Sequence, residues 1–407
     1  MNQSFQLKDK LSLLLSRHHL MVVYALVFML LLSGVITVSG TTYVSQLGLY
    51  FGAFILFYLL IVRYFPTVSI AENRTNYFDR FKFLVDIKWL VLISLLGVFI
   101  HLLILKRFPA IEAWNTYRLS EVVKIRRSIT EGQSSLINYL MSWNLKAIIP
   151  FTLAILMLKK ERRLYWLFFF IACGYAFILM QKSFILLVLM PAGVIGLFKR
   201  EWLLVVKFAL VGVSVVFLLT YIQNVSMRGG INDIRLDYEP EPVSTVTLFG
   251  RLFGGIQNRV MIIPGKTVVH WFELIPSKKP FLNGNGFKLF SKVSGGTYHN
   301  YAKELYPYVY PENAKHGILG SVNVASFMRG YSNFGTIGLL LSAFLLALTI
   351  CIIESVFKGP LVYSLAFNAF PILMLSSGSL LTLLFSGGWM VTILLFLLFR
   401  SQIFQYS

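Results

Sequence analysis

Long apolar runs separated by short polar connections dominate this chain of 407 residues. Ten runs, at about 19–39, 43–62, 88–105, 143–158, 164–181, 183–198, 202–221, 334–353, 361–379 and 381–399, approach the length of a membrane-crossing helix. Such a helix needs roughly 17–25 residues to cover the ~30 Å hydrocarbon layer. The fourth run is short, so its helix can begin earlier, and the last two meet near "SSGS" with the least distinct boundary. The pattern predicts an all-α polytopic integral membrane protein with about 10 transmembrane helices. It divides into seven N-terminal spans over 1–221, a large polar segment at 222–333 and three C-terminal spans over 334–407. A smaller polar segment lies at about 106–142.

Composition agrees with this pattern: 57% of residues are hydrophobic and 13% charged, against about a quarter charged in soluble domains. The first run is too long for a signal-peptide core and lacks a small-residue cleavage site, so it is expected to remain in the membrane. Both cysteines, Cys173 and Cys351, fall in apolar runs, which points away from a disulfide framework or a cysteine-based metal site.

Charge sets the orientation. Lys8, Lys10, Arg17, Arg63, Arg74, Arg80, Lys82, the "KKERR" turn at 159–163, Lys199, Arg200, Lys358 and Arg400 share one side if there are ten spans. That side is expected to be cytoplasmic, with both termini on it. The net charge of +20 divides evenly, because 17 basic and 7 acidic residues fall on the inner side and 20 and 10 on the outer. Long outer loops translocate regardless of charge, so the orientation stands. An outer face this basic calls for an anionic partner there. Little of the chain is free to form a soluble basic face, so nucleic acid is not expected.

The outer segments lack a Gly-rich nucleotide loop, a His-x-x-x-His pair, a cysteine cluster and a Gly-x-Ser-x-Gly elbow. No cofactor or metal is implied. The stretch "TLFGRLFGGIQNRVMII" (247–263) instead reads as an interfacial helix. At 100° per residue Leu248, Phe249, Leu252, Phe253, Ile256, Val260 and Ile263 share a face. Arg251 projects from the polar flank, while Arg259 falls within the apolar arc. A cation held at membrane depth is costly and marks a functional site by default. The plainer alternative is a pair of arginines gripping lipid phosphates at the interface. Guanidinium stays charged and binds phosphate oxygens with a bidentate fork, which suits a substrate whose phosphates lie at the membrane surface.

Other candidates are weaker. Arg329 is the last charge before about twenty uncharged residues and sits at the membrane boundary, as an anchor or a ligand. Gly330, Gly335 and Gly338 allow close helix packing. Lys182 occupies an outward turn, either as an interface marker or as a phosphate contact. "WNTYRLSEVVKIRRSITEGQ" (114–133) reads as a solvated polar helix or an acidic-ligand contact. The Gly-, Asn-, Pro- and Tyr-rich segment 276–312, Tyr298 included, can stack on and hydrogen-bond to sugars. His270, His299 and His316, with Glu273 and Glu304, are the available general bases, and the sequence does not choose among them.

The segment "NVASFMRGYSNFGTIG" (323–338) resembles the Asn-led stretch ending in Asn-Phe-Gly-x-x-Gly of the Wzy-type O-antigen polymerases (oligosaccharide repeat-unit polymerases) of Gram-negative bacteria. "GRLFGGIQNRV" with "VVHWFELIP" behind it resembles that family's arginine-bearing periplasmic helix. The resemblance implies a GT-C-like membrane glycosyltransferase of the inner membrane with its active site facing the periplasm. It would move a growing glycan from undecaprenyl pyrophosphate to the non-reducing end of a lipid-linked repeat unit. Arg251 and Arg259 would bind pyrophosphate, with Asn323 and Arg329 lining the same cavity, and a chain-length regulator is an implied partner. The O-antigen ligases share this chemistry but carry a His-Asn pair where this chain has Val322 and Asn323. An Arg-x10-Gly spacing of some polymerases and ligases is missing, since Ile262 and His270 occupy the last position. A flippase is the alternative from another class, but no internal repeat stands out and the spans are nearly charge-free.

Overall fold

The computed structural model describes residues 18–65, 86–129, 133–231, 257–315, 317–318, 320–358 and 361–405, with backbone alone at 182–184, 226–227, 401 and 404–405. Among the described residues the fold is all-helical, apart from one isolated bridge between Arg118 and Ile231. Six helices are long and apolar enough to cross a membrane: His19–Ser39, Val44–Tyr64, Ile87–Leu105, Ser135–Leu158, Trp202–Gln223 and Met328–Val356. The fourth begins earlier than its apolar run indicated, because the amphipathic Ser135–Trp143 helix continues into it. The tenth run is not one helix: Leu380–Leu384 and Trp389–Gln405 are separated at "FSGG". There Gly388 takes φ +79°, and a Cβ on Gly387 would lie 2.4 Å from the Leu383 carbonyl oxygen.

The chain forms two compact units, each assembled from separated stretches. The first comprises Met1–Val68, Ile234–Glu354 and Ile372–Thr382. Its first two spans meet along an aromatic seam in which Tyr24 and Tyr50 share a 2.8 Å hydrogen bond and Phe28 stacks on Phe51. The N-terminus of the His19–Ser39 helix has no local side-chain cap. Its orphan amides are met instead by buried Glu354, which accepts from Leu20 N at 2.9 Å and Met21 N at 3.3 Å. Tyr58 donates to the other carboxylate oxygen at 2.5 Å, and its own oxygen accepts from His18 Nδ1 at 2.6 Å. A carboxylate suits this place because it also meets the positive end of the helix dipole.

Close backbone approach decides the rest of this unit. The Ile263–Leu274 helix crosses the first span at paired glycines. A Cβ on Gly265 would lie 2.3 Å from Gly34 C, and one on Gly34 would lie 2.0 Å from Met261 O. The Met328–Val356 helix is interrupted at Phe334 and Gly335, where Gly335 has φ 58° and ψ −135°. Its first turns fold back on the turn after this break, so a Cβ on Gly330 would meet Gly338 O at 2.4 Å. These glycines therefore serve packing and a chain reversal.

The second unit comprises Ser69–Asp233, Ser355–Pro371 and Leu383–Ser407. Asn144, buried, clamps two spans: Ser94 Oγ donates to its Oδ1 at 2.8 Å and its Nδ2 donates to Ser94 O at 3.0 Å. Trp389 Nε1 donates to Asn368 Oδ1 at 2.7 Å. The Arg228 guanidinium donates to the carbonyls of Ala113, Thr116 and Ile222 at 2.9 to 3.0 Å, and to that of Trp114. It thereby satisfies the exposed carbonyl ends of the Pro109–Trp114 and Trp202–Gln223 helices.

One local repeat becomes visible only in the fold. "NLKAIIP" (144–150) and "NRVMIIP" (258–264) each form a π-turn, Asn144–Ile148 and Asn258–Ile262, one per unit. In both, the isoleucine before the proline donates to the carbonyl of the asparagine five residues back. Proline has no N–H to give and crowds the carbonyl four residues before it, so the preceding turn widens.

Candidate functional site

In the first unit, residues from three stretches are tied into one small cleft. Asn333, fully buried, accepts from Gly286 N at 2.9 Å and donates to Arg329 O at 2.7 Å. Backbone bonds from Leu282 N to Ser332 O and from Asn283 N to Asn333 O complete that seam. Trp271, on the Ile263–Leu274 helix, is 2% exposed and donates its Nε1–H to Asn323 O at 3.2 Å. Tyr331 donates to Ile275 O at 3.1 Å, and Tyr301 donates to Pro280 O at 2.6 Å. Ser326 N donates to Leu375 O at 2.9 Å, fastening the segment before the Met328–Val356 helix.

Trp271, Leu282, His299, Tyr301, Arg329 and Ser332 line this cleft. Its enclosed space is narrow, about 10 Å³, the room one water needs. At its edge His299 Nδ1 lies 3.1 Å from Glu304 Oε1, while Lys279 Nζ donates to Glu304 Oε2 at 3.1 Å. A carboxylate is an acceptor, so a proton of the imidazole sits on Nδ1, between the ring and Glu304. Burial pushes the Glu304 carboxyl up, but the hydrogen bonds and charges of Lys279 and His299 outweigh it and hold it below its ordinary value. The Tyr301 phenol is raised by burial and by the neighbouring Glu304 charge. The arrangement places an imidazole and a guanidinium in the same cleft.

No known family, curated protein or solved structure matches this chain.

The predicted residues divide accordingly. His299 and Arg329 come together in the cleft, and Asn323 is tethered to it through its carbonyl, its own side chain exposed. Tyr298 stands beside His299 in the chain with Lys288 Nζ 5.5 Å from its ring centroid. His270 does not line the cleft and pairs with Glu273 at 3.2 Å. Arg259 is exposed on the Asn258–Ile262 π-turn, on the same helical segment as Trp271 but away from the cleft lining. Lys182 belongs to the other unit, where its backbone starts the Lys182–Phe198 helix. Arg251, His316 and most of the expected 247–263 helix lie outside the described residues.

The described end of that helix corrects the expectation in one respect. The helix does not stop at Ile263 but continues to Leu274, and its buried face is Pro264, Gly265, Thr267, Val268, Val269, Trp271 and Phe272. The π-turn at Asn258–Ile262 departs from the 100° step per residue that the wheel assumes. Among the described residues no three His, Cys, Asp or Glu side chains form a metal-holding group. Trp271 and Asn333 fall within the motifs quoted above and Lys279 and Tyr301 within the 276–312 segment, but nothing in the sequence places them at the cleft, because packing does that.

Proposed function

We propose that this chain is a membrane-embedded glycosyltransferase of the O-antigen polymerase kind, in a GT-C-like fold of ten spans. It works at the periplasmic face of a bacterial inner membrane, with both termini cytoplasmic. Its substrates are two undecaprenyl-pyrophosphate-linked oligosaccharides, and a chain-length regulator is its partner. The observation that carries this reading is the carboxylate-held His299 in one cleft with Arg329. The resemblance of 323–338 to the polymerase family and the basic outer segments support it further.

In this reading His299 Nε2 takes the proton from the acceptor hydroxyl, whose oxygen attacks the anomeric carbon of the donor glycan. The bond from that carbon to pyrophosphate breaks, and the electron pair leaves with the pyrophosphate oxygen. Arg329 stabilises the charge that grows there, while Arg251 and Arg259 of the outer segment hold lipid-linked pyrophosphate at the membrane surface. Positioned general bases contribute about 10²–10⁴-fold in rate.

Cells expressing His299→Ala or Arg329→Ala are expected to show single repeat units on the lipid core in a gel of surface polysaccharide, with the protein still in the membrane. Arg251→Ala and Arg259→Ala are expected to do the same. Full-length O-chains from all four variants would sink the proposal. Complete loss of attached glycan would point to a ligase or a flippase.

A further inference from the structure

The second unit contains a larger cavity, of about 380 Å³, that the proposed transfer reaction leaves unused. Asn138, Tyr139, Ser142, Lys146, Gln181 and Ser386 supply its polar wall. The remaining lining residues, such as Met141 and Leu179, are apolar, and no carboxylate is among them. One cation, two amides and several hydroxyls around a space of this size suit an anionic, hydrogen-bonding ligand. Ligand sites of about 300–1,000 Å³ hold sugar- to drug-sized molecules, so a phosphate bearing a sugar fits by volume.

Lys146 is the unusual member of this wall. It lies within the Ser135–Leu158 span, thirteen residues before Lys159, hence roughly 20 Å along the helix at ~1.5 Å per residue. A lysine that far from the end of an apolar helix is costly to keep and is a functional candidate by default. Its backbone sits in the Asn144–Ile148 π-turn, and π-turns inside helices concentrate at functional sites. The matching π-turn at Asn258–Ile262 carries Arg259. The same local device thus presents a cation in each unit. Asn144 is held by Ser94, which fixes the turn that carries Lys146.

We infer that the Lys146 cavity is a second phosphate-binding site, which takes the headgroup of a phosphate-bearing lipid. Its ligand is the pyrophosphate of a second lipid-linked glycan, and this identity rests on the transferase reading, whereas the site itself stands on the cavity and Lys146. A reaction between two lipid-linked substrates brings two pyrophosphates to the protein, and one arginine-lined site serves only one of them.

Inorganic pyrophosphate is the probe, titrated by calorimetry into the full-length protein in phosphatidylcholine nanodiscs. An Arg259→Ala/Arg329→Ala background isolates the cavity and is expected to retain saturable binding. Adding Lys146→Met is expected to weaken that binding about tenfold or more, as loss of one charged hydrogen-bond partner does. Adding Lys146→Arg instead is expected to keep the affinity within about threefold. Unfolding midpoints matching the parent establish that both variants are folded. Absence of binding in the double-arginine background, or unchanged binding with Lys146→Met, overturns the inference. Suppression of binding when the discs contain phosphatidylglycerol assigns the site to bulk lipid phosphate and overturns the substrate identity. If all four variants named for the transfer reaction leave O-chains intact while Lys146-dependent binding persists, the transferase reading fails and the site survives.

Discussion

Glu304 is the residue on which the cleft chemistry turns, because it holds His299 on one oxygen and Lys279 on the other. Its folded carboxyl is held below its unfolded value. The stability this contributes is therefore fully present above the ordinary Glu range of about 4.3 and is lost as pH falls through the lower folded value. The difference in unfolding midpoint between wild type and Glu304→Gln is expected to be flat above pH ~5 and to shrink below it. A difference that instead grows on acidification would contradict the pairing. Arg228 tests the same scale in the other unit. Arg228→Ala leaves four carbonyls without their shared donor, at about 2 kcal/mol or more. Denaturation of the detergent-solubilised protein measures it.

At the scale of elements, glycines and prolines decide geometry that hydrophobic periodicity does not encode. Gly335 reverses the chain at the head of the Met328–Val356 helix with a backbone conformation that side chains resist. Gly335→Ala is expected to cost about 1–3 kcal/mol. Gly265→Leu should separate the Ile263–Leu274 helix from the first span, because the added carbons would overlap the backbone of Gly34 and Val35. Its cost is expected to be about 3 kcal/mol or more, beyond ordinary overpacking. Thermal unfolding reads both, and wild-type midpoints would show that the contacts yield freely. The chain reversal explains why Arg329 lines a cleft: the residues before Gly335 turn back into the unit and do not extend the span.

For the whole molecule, orientation is the property most open to a direct test. Cys173 and Cys351 are buried and unpaired, so an impermeant maleimide reports on introduced thiols. Leu289 is 78% exposed, and Leu289→Cys is expected to label from the periplasmic side of intact inner membrane. Lys358→Cys is expected to label only after that membrane is opened. The reverse pattern would invert the proposed topology and place the His299 cleft on the wrong side for a periplasmic transferase.

The sequence by itself determined the all-helical, membrane-type character of the chain and the polar segments that hold the candidate chemistry, because hydrophobicity and charge are properties of composition along the chain. It also supplied His299, Glu304 and Arg329 as candidates, since imidazole, carboxylate and guanidinium carry their chemistry wherever they stand. Only the tertiary structure paired His299 with Glu304, brought Arg329 to the same cleft and separated His270 from it. Those choices depend on contacts between stretches far apart in the chain, through Asn333, Trp271 and the glycine crossings. The break near Gly388, the continuation of the Arg259 helix to Leu274 and the cavity beside Lys146 were likewise illegible. Each arises where a proline or glycine shifts the register of an otherwise periodic helix, and periodicity alone assumes that no such shift occurs.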